Sequence, residues 1–450
     1  MATPATAASS DTDRAFFGHP RGLVILFFTE MWERFSYYGM RAFLILYMVA
    51  PVASGGLALT DVRAASIYGT YTGSAWAATI LGGLIADRVI GPFRTVLIGG
   101  ILITTGHFTL AFKSLTAFYT GLTLIALGTG LLKPNVSTLV GSLYREGDTR
   151  RDAGFSVFYM GINLGAFMGP IIAGYLAQRV GWHIGFACAG VGMALGLVVY
   201  VIGRPWLTGS LERLKQERAA TPAANQTAAA TSGGFTATEW KRMAAIVILF
   251  LAASLFWGAY EQAGSTLNLF ADRYTRLEIF GFAFPSSWFV SAQAIFVWML
   301  APVFGWLWLS LGRREPSVPA KFAVSLACVG LAFLVLVPAG SMAQSAEGVR
   351  VSPSWLLVAY FISVLGELCL SPVGLSAVTK LAPARIVGLM MGVWFLSNAL
   401  GNKIAGTAAG YISSMPIDQL FGRVAIALFV SAAVMFALIK PIKKLMSGVH

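Results

Sequence analysis

The sequence predicts an all-α integral membrane protein with twelve transmembrane helices in two six-helix bundles. Three observations support this fold class. Of the 450 residues, 57% are hydrophobic and only 11% are charged, with a mean hydropathy of +0.73, whereas soluble domains are about 45–50% apolar. Apolar stretches near the length that crosses about 30 Å of hydrocarbon recur along the chain. A polar segment separates the first six stretches from the last six.

Each of the twelve stretches is expected to form one membrane span. In chain order they cover residues 22–50, 64–87, 95–112, 116–142, 153–178, 183–203, 240–271, 284–311, 322–340, 354–380, 387–412 and 420–440.

The remaining segments define the expected domains. Residues 1–21 and 441–450 are tails, and residues 204–239 form a linker rich in Ala, Thr and Gly. The bundles are then residues 22–203 and 240–440. Two such halves are typical of transporters whose substrate site lies between parallel repeats near the bilayer midplane.

The basic residues predict the orientation of the chain in a cell membrane. Most of them lie in the tails and in the loops on the side of the N-terminus, such as Arg94 and Arg145. By the positive-inside rule both termini are expected in the cytoplasm. The net charge of +13 is therefore explained without nucleic acid, which would need a basic face on a soluble domain. Residues 1–21 have no apolar stretch ahead of a cleavage site, so no removable signal peptide is expected.

The first stretch contains "FFTEMWERFSYYGMRAFLIL", with four charged residues. A charge at the bilayer centre costs at least about 2.5–3.5 kcal/mol on insertion scales, so such residues indicate a functional pathway. A helix turns about 100° per residue, which places the polar residues within about 140° of arc. This polar face is formed by Glu30, Glu33, Arg34, Tyr37, Tyr38 and Arg41.

Further ionisable residues interrupt other apolar stretches: Lys133, Glu261, Glu367 and Lys403. Acids and bases thus come from the first, fourth, seventh and tenth helices and can converge on a central cavity. Such a site could bind a molecule with both charges, or protons, because a carboxylate gains proton affinity when a neighbouring base moves away. The alternative is a set of structural ion pairs, although desolvation makes buried pairs weak contributors to stability.

Other polar and small residues are expected to have structural roles. Gly161, Gly165 and Gly169 recur every four residues, which favours close helix packing. We expect His107 to be packed and hydrogen-bonded. The three cysteines have neither paired nor metal-ligand spacing and are expected to be buried free thiols: Cys188, Cys328 and Cys369.

Several motifs together resemble the proton-dependent oligopeptide transporter family, a branch of the major facilitator superfamily. The first helix carries E-x-x-E-R as Glu30, Glu33 and Arg34. "GGLIADRVIGPFRTVLIGGILITTGH" (82–107) and "FYMGINLGAFMGP" (158–170) resemble two further family signatures. "LLKPNVS", "YEQAGS", "GEL" and "GVWFLSNALGN" extend the resemblance to the fourth, seventh, tenth and eleventh helices.

The resemblance implies the major facilitator fold and proton-coupled import of dipeptides and tripeptides by alternating access. It implies proton coupling by Glu30, Glu33, Arg34 and Glu261, an outer gate of Arg41 with Glu261, and an inner gate of Lys133 with Glu367. Asn163 and Glu367 would meet the peptide amine. The implied substrate-binding residues are Arg34, Tyr37, Tyr38, Arg41, Trp76, Lys133, Asn163, Gln293, Glu367, Trp394, Ser397 and Asn398.

The sequence departs from the family pattern at three places. Gln293 and Ala294 stand where the family usually has Asn-Pro, which affects amine recognition and helix bending. Trp76 stands where a pocket tyrosine is common. The linker, 204–239, has no room for the two extra helices that bacterial relatives often carry.

Three other functions remain open from the residues alone. One is a related transporter that moves another small anion or a drug. An ion channel is the second. The third, a membrane enzyme, is disfavoured because no nucleophile–base pair and no metal ligands stand out. No cofactor and no obligatory protein partner are expected.

Overall fold

The computed structural model describes residues 16, 18–145, 148–220, 235–383 and 386–447. Most of the predicted N-terminal tail, residues 221–234 of the predicted linker and residues 448–450 of the predicted C-terminal tail lie outside this description.

The described residues are almost entirely helical. The first eight α-helices are α1 (Arg21–Val49), α2 (Asp61–Ile85), α3 (Gly91–Leu110), α4 (Leu115–Ser142), α5 (Arg151–Gly169), α6 (Tyr175–Arg179), α7 (Trp182–Ile202) and α8 (Arg204–Ala220). The remaining α-helices are α9 (Ala237–Tyr260), α10 (Thr266–Tyr274), α11 (Trp288–Leu311), α12 (Val318–Ala343), α13 (Ser354–Leu381), α14 (Val387–Ala409), α15 (Ile417–Ala437) and α16 (Ile439–Leu445).

Short elements join several of these helices. The π-helical segments Ala86–Ile90 and Pro170–Gly174 connect α2 to α3 and α5 to α6. A 3-10 turn, Glu261–Gly264, separates α9 from α10. Strands β1 (Glu278–Ile279) and β2 (Phe282–Ala283) form an antiparallel hairpin, with Glu278 opposite Ala283. The helix α8 occupies the first part of the predicted linker.

The long helices match the predicted spans. Within the described residues, nine helical stretches are long and apolar enough to cross a membrane, and one of them, Asp61–Leu110, contains both α2 and α3. Helices α1 and α14 have 29 and 23 residues and are also of spanning length. Every predicted span therefore coincides with a helix, or with two consecutive helical segments.

The chain divides into two compact units. The smaller unit contains residues 1–39, 78–169 and 186–232, and the larger unit contains residues 40–77, 170–185 and 233–450. The boundaries between the units pass through α1 and α2. The bundle boundaries expected from the sequence stay a prediction.

Close packing in the smaller unit depends on glycine. A Cβ atom built on Gly165 would clash with the backbone carbonyl of Met31, and one on Gly169 would clash with that of Phe35. The face of α5 that carries these glycines therefore lies directly against the backbone of α1, which confirms the predicted packing role of the glycine repeat.

The larger unit is built mainly from the second half of the chain. Helix α12 packs against α13 and α15, and α9 packs against α14. Backbones also approach closely here, because a Cβ on Gly69 of α2 would lie 2.9 Å from the Cα atom of Gly406 on α14. The first part of α2 therefore packs against α14 within this unit.

Candidate transport site

The smaller unit buries a cluster of three charged side chains on α1. Glu30, Glu33 and Arg34 are 3%, 0% and 2% exposed. Arg34 Nε lies 3.2 Å from Glu30 Oε1, and the guanidinium also forms an ion pair with Glu33. Two carboxylates therefore share one guanidinium. The oxygens Glu30 Oε2 and Glu33 Oε1 are buried without a hydrogen-bond partner among the described residues, so each is a candidate proton acceptor.

Aromatic rings surround the guanidinium of this cluster. Arg34 Cζ lies 5.1 Å from the centroid of the Tyr37 ring and 6.0 Å from that of Tyr38. Cation–π contacts of this kind are worth about 0.5–2 kcal/mol, depending on desolvation. The rings hold Arg34 in place and leave less room for water around it.

Two polar residues on neighbouring helices belong to the same unit. Lys133 on α4 belongs to the same compact unit as Glu30. Lys133 precedes Pro134, and the side chain of Asn135 donates to the carbonyl oxygens of Gly82, at 3.1 Å, and of Leu131, at 2.7 Å. On α5, the buried Asn163 donates to the carbonyl oxygen of Tyr159 at 2.9 Å.

The larger unit contains a second buried ion pair, between Arg41 of α1 and Glu261. Both residues are less than a tenth exposed. Arg41 Nε also donates to the hydroxyl oxygen of Tyr68 at 2.7 Å. Glu261 begins the 3-10 turn after α9, and a Cβ on Gly264 of this turn would clash with the Tyr68 hydroxyl. Glycine at this position therefore allows α2 to approach the turn.

A second set of polar contacts lies in the same unit. Arg273 at the end of α10 binds Asp61 at the start of α2 with two parallel contacts of 2.6 and 2.7 Å. Such bidentate pairs are among the stronger ion pairs. Gln178 donates to Ser286 at 2.8 Å, and Ser286 donates to Asp272 at 2.8 Å.

Glu367 on α13 has a partner that sequence reasoning missed. The hydroxyl of Tyr260, the last residue of α9, donates to Glu367 Oε2. The predicted inner gate joins Glu367 to Lys133, which belongs to the other unit. This gate stays a prediction.

The family model described as PTR2, POT family, matches residues 93–210 and 215–424. The chain belongs to the POT family. It is therefore a multi-pass membrane transporter of the proton-dependent oligopeptide family and not an enzyme, which confirms the predicted fold class and family.

Three known proteins are similar to this POT family member over nearly the whole chain. It is 37% identical to "Peptide transporter YePEPT" of Yersinia enterocolitica, with 98% of each chain covered. It is 34% identical to the "Di-/tripeptide transporter" of Lactococcus lactis subsp. cremoris, covering 98% of this chain and 99% of that protein. The crystal structure of peptide transporter POT in complex with sulfate matches with a TM-score of 0.88 and 41% identity, covering 98% and 99% of the two chains.

The other predicted substrate residues of this POT transporter lie in the larger unit. Trp76 stacks on Phe395 with ring centroids 6.2 Å apart. Trp394 is 4% exposed and packs edge-on against Phe322. The remaining three are a buried Ser397, whose hydroxyl donates to the Trp394 carbonyl at 2.7 Å, a buried Asn398 and a half-buried Gln293. Their roles in binding stay predictions.

Two structural expectations for this POT transporter need correction. His107 is buried as expected, but neither ring nitrogen has a hydrogen-bond partner among the described residues, so the predicted hydrogen bond is wrong. All three cysteines are free, but only Cys369 is buried, while Cys188 and Cys328 are half-buried.

Several contacts of charged and polar residues in this POT transporter had no clear signal in the sequence. Lys403 donates to the hydroxyl of Thr70 at 2.9 Å, which gives it a partner that the sequence did not suggest. Arg273 reads as an ordinary loop charge, and Tyr260 as one aromatic residue among many. Within the described part of the chain, no group of three or more His, Cys, Asp or Glu side chains is placed to hold a metal ion.

Proposed function

We propose that this POT transporter imports dipeptides and tripeptides together with protons by alternating access. Family membership makes the chain a proton-coupled di- and tripeptide transporter. The main support for coupling between peptide import and proton uptake is the α1 cluster, in which two buried carboxylates share the guanidinium of Arg34.

The charges suit a zwitterionic substrate. We assign the peptide carboxylate to the cations of the smaller unit, Arg34 and Lys133, and the peptide ammonium to Glu367. At 4 Å and an effective dielectric of 20, one such contact is worth about 4 kcal/mol before desolvation is subtracted. Because the charged termini supply this energy, the aromatic residues Trp76 and Trp394 can accept many side chains, which gives broad specificity.

Proton binding is assigned to Glu30 and Glu33. Each has a buried oxygen with no donor among the described residues, and both depend on Arg34 for charge compensation. When a peptide carboxylate draws Arg34 or Lys133 away, an acid of this cluster loses part of its positive surroundings and takes up a proton. Binding of substrate and binding of protons are then coupled through one guanidinium.

The outer gate is assigned to Arg41 and Glu261, supported by Tyr68. We assign the bidentate ion pair of Asp61 with Arg273, in the same unit, as a second contact that keeps the outer gate closed. Both termini are assigned to the cytoplasm of a cell membrane, because the basic loops lie on their side. Protonation of Glu261 would weaken the first pair and favour opening.

The proton gradient provides enough energy for concentrative uptake. One proton that crosses about 100 mV supplies roughly 2.3 kcal/mol, and each pH unit adds about 1.4 kcal/mol. A hundredfold accumulation of a neutral zwitterion costs about 2.7 kcal/mol. One coupled proton is therefore sufficient.

Uptake of a labelled dipeptide into liposomes with purified protein tests the proposal. An imposed inward proton gradient should drive accumulation, and a protonophore should abolish it. An excess of unlabelled tripeptide should compete. If a small anion or a drug is transported instead and dipeptides do not compete with it, the peptide assignment is wrong. Single-channel currents in place of saturable uptake would indicate a channel.

A further inference from the structure

The smaller unit contains a cavity of about 870 Å³ that the proposed transport mechanism does not use. It lies between the end of α4, the start of α5 and the helix α8. Its polar lining includes Arg145, Arg151 and Arg213, one from each of these regions. None of the residues that line it belongs to the transport site described above.

Two of the arginines of this cavity lack a carboxylate partner in the described part of the chain. Among the described residues, neither Arg151 nor Arg213 has a carboxylate oxygen within 4 Å. Arg213 Nη2 is buried and has no hydrogen-bond partner there. A buried guanidinium nitrogen without an acceptor is costly, so the cavity favours an anion.

The shape of the cavity leaves the guanidinium of Arg151 accessible. A Cβ built on Gly141 would lie 3.5 Å from Arg151 Nη2 and 3.7 Å from Phe155 Cζ, in ordinary van der Waals contact, so Gly141 borders the part of the cavity next to these two side chains. The ring of Phe155 supports the guanidinium from one side, with Cζ of Arg151 6.0 Å from its centroid. The guanidinium of Arg151 is therefore held at the wall of the cavity.

We propose that this cavity binds a phosphate group, supplied by the head group of an anionic phospholipid. The fork of an arginine matches two phosphate oxygens, and the two arginines without a carboxylate partner, Arg151 and Arg213, compensate a phosphate better than one. The cavity lies at the ends of spanning helices, where lipid head groups are found, and basic pockets between such helices bind anionic head groups. A bound head group would connect the ends of α4 and α5 to α8.

Binding can be measured on the full-length protein in a neutral detergent. The probes are short-chain phosphatidylglycerol, short-chain phosphatidylcholine, glycerol phosphate and inorganic phosphate, with thermal unfolding and native mass spectrometry as readouts. Phosphatidylglycerol should stabilise the wild type at a lower concentration than phosphatidylcholine. Equal stabilisation by inorganic phosphate would support the site but make soluble phosphate its occupant. No preference for any anionic probe would overturn the proposal.

Variants separate this site from general surface charge. Arg213→Gln and Arg151→Gln should each weaken phosphatidylglycerol binding about tenfold, the effect of losing one charge-assisted hydrogen bond. Lys215→Gln removes the same charge from an exposed position of α8 and should change binding less than twofold. Gly141→Leu keeps every charge but fills the cavity, so it should weaken binding even if an arginine variant folds poorly. An equal loss in Lys215→Gln, or normal binding in Gly141→Leu, would refute the site.

Discussion

Replacing Glu261 by Gln removes the titratable group from the proposed outer gate while keeping its size. In the structure Glu261 pairs with the buried Arg41, which also binds Tyr68. Gln can still accept a hydrogen bond from the charged guanidinium, but the attraction between two opposite charges is lost. Hydrogen bonds to charged groups contribute about 1.5–3 kcal/mol; an ion-paired bond lies near the upper end of this range and a bond with one charged partner near the lower end, which predicts a loss of about 1–2 kcal/mol. The closed gate should become about 5- to 30-fold less populated relative to the open gate.

The same liposomes allow two assays of this variant. Accumulation of labelled dipeptide under a proton gradient should fall at least tenfold, because proton entry no longer controls the gate. Exchange of labelled for unlabelled peptide moves no net proton, so counterflow should remain at a substantial fraction of the wild-type rate. Glu347→Gln, which removes an exposed carboxylate, is the matched control and should leave both assays unchanged.

Two results would refute this reasoning. If Glu261→Gln still accumulates peptide against its gradient, Glu261 is not an obligatory coupling residue, and the proton role moves to Glu30 or Glu33. If counterflow is lost as well, the residue is required for folding or for movement of the gate itself, and coupling is unsupported.

Three further predictions concern substrate binding and stability. Lys133→Ala should reduce gradient-driven uptake about 10- to 100-fold, since one charged contact to the peptide carboxylate is lost; near-normal uptake by folded protein would contradict this. Trp394→Phe should change the preference among peptide side chains several-fold and leave the need for free termini intact, whereas equal losses for all peptides in competition assays would argue against a pocket role. Arg150 lowers the pKa of Asp148 to about 2, so the ionised carboxylate of Asp148 stabilises the folded state. Asp148→Asn should therefore lower thermal stability at neutral pH, and the difference from wild type should shrink as the pH falls from about 4 to about 2. A difference independent of pH would exclude an electrostatic cause.

Local features of the sequence were sufficient for the spans and for the polar face of α1. Hydropathy over about 20 residues depends only on neighbours in sequence, and helical periodicity places Glu30, Glu33 and Arg34 together once the segment is helical. The glycine repeat of α5 is likewise local, and it predicted close helix packing, although not that α1 is the partner. The positions of charges inside apolar segments also pointed to a transport site, because the bilayer penalises charge wherever it lies along the chain.

Only the tertiary structure decided which groups meet across long sequence separations. Arg273 and Asp61 are 212 residues apart, and no spacing rule connects them. Tyr260 reaches Glu367, 107 residues away, because α9 ends beside α13 in the larger unit. His107 shows the converse, since its burial was expected, whereas its lack of a hydrogen-bond partner among the described residues depends on every helix packed around it. The polarity and length of each segment follow from the composition of the chain, whereas pairing between helices depends on how their side chains pack, which no single segment encodes.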